Sequence, residues 1–221
     1  MNTVQDFFRS IYQWMVIGIL ISAAMAYLTI NSPLVVIFQN SVYFYGLIAI
    51  QLGILFGVQW GINRLSAANA FLLYLAYAAL NGMTMAGFLA YFLATDPMLV
   101  VVIFLVAASM FAFLAVWGYF TKNDLSGWGT FLIAAVWGIF FSSIANIFLQ
   151  SDTFSFIISG VALIIFAALT VYDNQAYRQM FAHLKDDEQK SKMATLGALH
   201  MYINFIMMFQ SLLNLTQLFN D

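Results

Sequence analysis

Seven long apolar runs constrain this chain more than any other feature of its sequence. They are approximately Ile11–Ile30, Val42–Gln59, Ala67–Ala94, Met98–Phe120, Trp128–Leu149, Phe154–Tyr177 and Thr195–Phe219. A hydrocarbon core of about 30 Å takes about 20 apolar residues of helix to cross. Only helices and closed barrels satisfy their backbone in lipid, and runs this continuous lack the alternation of barrel strands. The expected fold is an all-α membrane protein: seven transmembrane helices in one multi-pass domain over residues 1–221. Composition agrees, with 64% hydrophobic and 7% charged residues, far from the soluble globular norm. A net charge of −2 gives no electrostatic case for nucleic acid. The absence of cysteine excludes disulfides, thiolate metal sites and cysteine nucleophiles. The start, MNTVQDFFRS, lacks the basic region and cleavage site of a signal peptide, so the first run is expected to remain as a span.

The breaks between runs carry the charge. They are NSP at 31–33, NRLS at 63–66, DP at 96–97, TKNDLSG at 121–127, QSD at 150–152 and RQMFAHLKDDEQKSK at 178–192. All seven basic residues, Arg9, Arg64, Lys122, Arg178, Lys185, Lys190 and Lys192, fall on the side of the N-terminus. The other side holds Asp96, Asp152 and Asp221. By the positive-inside rule the N-terminus is expected in the cytoplasm and the C-terminus outside. The piece at 178–194 is the longest expected soluble loop, and its LKDDEQKSK run reads as a solvated turn.

An ionisable group inside a span is costly and marks a candidate site. Asp173 is the one acidic residue well inside any run, about 6 Å from its cytoplasmic end at about 1.5 Å per residue. Interfacial wetting, or pairing with Arg178, is the plain alternative. On the last run, at about 100° per residue, His200, Asn204, Met207, Ser211 and Asn214 share one narrow sector, bordered by Gly197. Such a stripe either holds helices together or lines a hydrated path. His200 sits near the depth of Asp173, and Asn204 lies one turn deeper. If the last two helices are neighbours, Asp173 would face them, and a carboxylate beside an imidazole responds to acid between about pH 5 and 8. The candidate pathway is therefore Asp173, Asn204 and His200, with Ser211 and Asn214 as further lining. Elsewhere, Gly82 and Ala86 in NGMTMAG read as small-residue packing.

Several segments together resemble one known family. ALTVYDNQ (168–175) resembles the ALxxYDTQ signature of the Bax inhibitor (transmembrane Bax-inhibitor-motif) family. GYFTKNDLSGWGTFL (118–132) resembles its GYTTKRDLSxxGxxL loop, and LGALHMYINFIMMFQSLLNL (196–215) its LGALxLYLDFINLFLxLLRL final helix. FFRSIYQWMVIGILISA (7–23) and LAYAALNGMTMAG (75–87) are similar to its first and third spans. The resemblance implies a bacterial-type member in an inner membrane, with seven helices and the last of them central. It also implies, for some members, a pH-sensitive calcium leak governed by two aspartates on the sixth and seventh helices. The first matches Asp173. The second matches Asn204, which departs from the pattern, because asparagine does not titrate.

Three functions follow as expectations. The first is a pH-modulated calcium leak without a bound cofactor, in which Asp173 contacts calcium transiently. The second is a non-conducting regulator that binds a membrane protease or cell-death and stress proteins, favoured by Asn204. The third, an intramembrane zinc hydrolase, is disfavoured: His183 and His200 are the only histidines. The chain is expected not to be an enzyme.

Overall fold

The computed structural model of the chain describes residues 3–33 and 41–220. All regular structure among these residues is helical. The helices are α1 (Val4–Ile30), α2 (Ser41–Gly61), α3 (Ala67–Thr95), α4 (Pro97–Phe120), α5 (Gly129–Leu149), α6 (Asp152–Phe181) and α7 (Asp187–Asn220), with a 3-10 turn at Ser126–Trp128. All seven are long and apolar enough to cross a membrane. Residues 34–40, in the first connection, and Asp221, counted above among the acidic residues opposite the N-terminus, lie outside the described residues.

Each helix matches one apolar run and extends past it where capping residues stand outside the apolar stretch. Thr3 and Asp6 form a reciprocal box: the Asp6 amide donates to Thr3 Oγ1 at 3.1 Å, and the Thr3 amide to Asp6 Oδ2 at 3.2 Å. Ser66 caps α3 and Ser151 caps α6 with a single bond each, the serine hydroxyl accepting from the amides of Asn69 and Phe154. Asp96 Oδ1 accepts from the amides of Met98 and Leu99, and Pro97 takes the first helical position, where its missing N–H costs nothing.

The loop expected at 178–194 is shorter than its charge suggested. Helix α6 continues to Phe181 and α7 begins at Asp187, which leaves 182–186 between them. Asp186 Oδ1 accepts from the Gln189 amide at 2.7 Å, and the ion pair Lys192–Glu188, at 3.1 Å, follows the helical i,i+4 spacing. The acids Asp187 and Glu188 are exposed on the first turn of α7, whereas Lys190 and Lys192 are half-buried beside them.

The chain folds as two compact units. One comprises Met1–Val100 and His183–Tyr202; the other comprises Val101–Ala182 and Ile203–Asp221. In the first, α1 packs on α3. Gly82 makes this possible: a Cβ there would collide with the backbone of Ser22. Ala86, the other half of the small pair, is fully buried. Ser22 Oγ donates to the Ala78 carbonyl at 2.7 Å, and the Tyr74 hydroxyl donates to the Trp14 carbonyl at 2.9 Å. In the second unit α4 approaches α6 closely at Gly118, where a Cβ would strike the Val171 backbone. Phe205 of α7 meets Phe104 and Phe111 edge-on, with centroids 5.4 and 5.9 Å apart.

Helix α7 differs from the rest. Of its most apolar stretch 72% is buried, against 11–33% for the other six. Those six turn large apolar side chains outward, such as Leu20, Phe113 and Phe148. In water such faces would be untenable; in a bilayer they meet acyl chains.

Candidate functional site: a buried carboxylate and its amide partner

Asp173 lies on α6 within the second unit, and its side chain is buried, with 9% of its surface exposed. Asn204, on the α7 segment of the same unit, is 3% exposed. Asn204 Nδ2 donates to Asp173 Oδ2 at 2.8 Å. Two residues that the sequence placed on different helices, about one turn apart in depth, are thus in direct contact. The bond runs from a neutral amide to a carboxyl oxygen, and a charge on that carboxyl strengthens it.

The polar residues after Asp173 face other tasks. Asn174 Nδ2 donates to the Thr170 carbonyl one turn back, at 2.7 Å. Gln175 reaches the 121–125 loop twice: its Oε1 accepts from the Leu125 amide at 2.8 Å, and its Nε2 donates to the Asn123 carbonyl at 2.6 Å. Arg178 donates to the carbonyls of Tyr119 and Thr121 and lies 6.0 Å from the Tyr119 ring centre. The alternative pairing of Asp173 with Arg178 is therefore replaced by a clamp: the guanidinium is met by carbonyls, and Asp173 by an amide. In the clamped loop, the Ser126 amide donates to Asp124 Oδ1 at 3.0 Å. That bond, with one from the Ser126 hydroxyl, holds the Asp124 carboxyl below its ordinary value. A lowered folded-state value means the turn gains stability above the ordinary carboxylate range and loses it as pH falls through the lowered value.

His200 lies in the first unit. Its Nε2 is 2.8 Å from Gln59 Oε1 on α2, a neutral partner available whether or not the ring is charged. Near it runs a chain of neutral polar groups. The Tyr202 hydroxyl is 2.6 Å from Ser22 Oγ and donates to Asn81 Oδ1 at 3.1 Å. Asn81 Nδ2 donates to Gln51 Oε1 at 3.4 Å, and Gln51 Nε2 to Thr84 Oγ1 at 3.3 Å. Ser211 is buried and Asn214 half-buried, both on the α7 segment of the second unit.

The comparisons with known proteins cover the same residues. A family model described as Inhibitor of apoptosis-promoting Bax1 matches residues 4–221. The chain belongs to the Bax inhibitor family. It is similar to the inner membrane protein YbhL of Escherichia coli K12, 33% identical over 216 residues that cover 96% of this chain and 91% of that protein. An uncharacterized protein of Borreliella burgdorferi is 37% identical over 210 residues, 94% and 89% of the two chains. One of Deinococcus radiodurans is 35% identical over 215 residues, 97% and 91%.

In this Bax inhibitor family protein, then, a multi-pass membrane protein, a carboxylate–amide pair stands where the sequence resemblance implied two carboxylates. Two carboxylates at this distance hydrogen-bond only while they share a proton. Asparagine donates at any pH. Among the described residues no group of three or more His, Cys, Asp or Glu side chains is placed to hold a metal ion. The pair offers a passing cation one carboxylate and one amide oxygen, fewer than the six to eight oxygens of a storage site.

The loop clamp and the Tyr202 chain escaped the sequence reading. Gln51, Asn81 and Gln175 carried a signal, since each is a polar residue inside an apolar run. Their partners lie far along the chain, and only the fold brings them together.

Proposed function

We propose that this protein is a passive, pH-modulated calcium leak, with its pathway controlled at Asp173 and Asn204. The observation that carries the reading is the hydrogen bond between these two buried side chains in the apolar interior of a membrane protein. An ionisable group kept there is costly, and that cost marks it as a functional candidate. Family membership supports the assignment. His200, 2.8 Å from Gln59, is the second position at which a pH response is to be tested. Ser211 and Asn214 continue the pathway along α7, and the heavy burial of α7 supports its being the central helix. The protein is not an enzyme, keeps no resident cofactor, and sits in a bacterial inner membrane with its N-terminus in the cytoplasm.

The second reading is a non-conducting regulator of membrane-protein partners. One observation favours it: the partner of Asp173 is an amide, which does not titrate.

Calcium flux into liposomes holding only this protein, followed from about pH 5 to 8, separates the two. The leak predicts flux in the wild type, loss of its pH response in Asp173→Asn or His200→Ala, and a moved midpoint in Asn204→Asp. Flux absent from the wild type and restored by Asn204→Asp favours the regulator. Flux absent from every variant sinks the leak.

A further inference from the structure

Helices α4, α5 and α6 of the second unit enclose an apolar groove of about 290 Å³. Leu114, Trp117, Leu125, Trp128, Ala168 and Tyr172 are among the residues that line it. Its rim faces outward, because Trp117 and Trp128 are more than half exposed. In a membrane-spanning chain that exposure is to lipid, and Trp at this position suits the level of the headgroups. The groove is also built firmly. Gly129 lets the Tyr172 ring lie against the start of α5, where any Cβ would strike its hydroxyl. Gln175 and Arg178 pin the loop that carries Leu125.

The charges on the 121–125 loop, which contributes Leu125 to the lining, favour one occupant. Lys122 lies between the lining residues Trp117 and Leu125 and is exposed. Arg178 beneath the same loop donates to two carbonyls, which do not neutralise its charge. Asp124 is the one carboxylate of the loop, and it is occupied by Ser126. The loop that borders the groove, with Arg178 beneath it, is thus net positive, and the groove walls are apolar. Water has too few polar partners here to fill such a space.

We propose that this groove is a binding site for an anionic phospholipid, with one acyl chain along Trp117, Ala168 and Tyr172 and the phosphate at Lys122. The site uses neither Asp173 nor Asn204, so it stands or falls apart from the leak.

Native mass spectrometry of the purified full chain, with phosphatidylglycerol or phosphatidylcholine of matched chain length added, tests it. The wild type should retain one phosphatidylglycerol in preference to phosphatidylcholine. Lys122→Gln, an exposed change that disturbs no packing, should weaken phosphatidylglycerol retention about fivefold, the weight of one lysine at an anionic surface. It should leave phosphatidylcholine retention alone. Ala168→Trp, with helix content checked by circular dichroism, should fill the groove and lower retention of both lipids. Equal retention of the two lipids by the wild type overturns the proposal. So does retention unchanged by Lys122→Gln or by a folded Ala168→Trp, or a dimer of the chain in place of the lipid-bound form.

Discussion

At the scale of single residues, the contact between Asp173 and Asn204 sets what each side chain can be changed to. Asn204→Ala removes a donor from a buried carboxyl. It should cost about 1–3 kcal/mol, the range for a hydrogen bond to a charged or buried group, measured by thermal unfolding in detergent. Asn204→Asp keeps the volume and replaces the donor by a second carboxyl. Its stability should fall as pH rises, because two ionised carboxylates repel where one proton had joined them, whereas the wild type should change less over the same range. Parallel unfolding curves for the two proteins across pH would show the bond in the structure to be unimportant. Asp173 was legible as a candidate because one acid inside an apolar run is conspicuous. Gln59, the partner of His200, was not, because it ends its run and looks like a boundary.

At the scale of elements, small residues and clamps decide how helices meet. Gly82 lets α1 and α3 come together at Ser22. Gly82→Ala should separate them, at about 1–3 kcal/mol for forcing extra volume into a packed contact, again read as a lowered unfolding temperature. The α6 clamp on the 121–125 loop is open to a more local test. Gln175→Ala removes the acceptor of the Leu125 amide, so hydrogen exchange at that amide should quicken about fivefold, the value of one ordinary hydrogen bond. Unchanged exchange would mean that Arg178 alone holds the loop. The start of α7 carries a lesson in reading charge. DDEQ reads as a turn because it is polar, yet an acid three residues before a glutamine is also a helix-start signal, and the fold uses it as one.

At the scale of the whole molecule, the distribution of Lys and Arg is the strongest constraint on orientation. The natural absence of cysteine makes it testable. Single cysteines placed at Lys122 or Gln189 should react with an impermeant maleimide only from the cytoplasmic side, and one at Asp96 or Ser151 only from outside. The reverse pattern would overturn the assignment. Seven spans, rather than six, is what places all the basic residues on one side.

What the sequence determined by itself was the number and nature of the helices, the family, and the identity of the buried acid. Each of these depends on local hydropathy or on short motifs, and the bilayer enforces hydropathy more strictly than water does, because an unsatisfied backbone group has no solvent to turn to. What only the tertiary structure decided was partnership. Asn204 rather than Arg178 meets Asp173, Gln59 meets His200, and Gln175 holds a loop some fifty residues away. A hydrogen bond depends on distances of a few tenths of an ångström between side chains remote in sequence, and those distances exist only once the helices have packed.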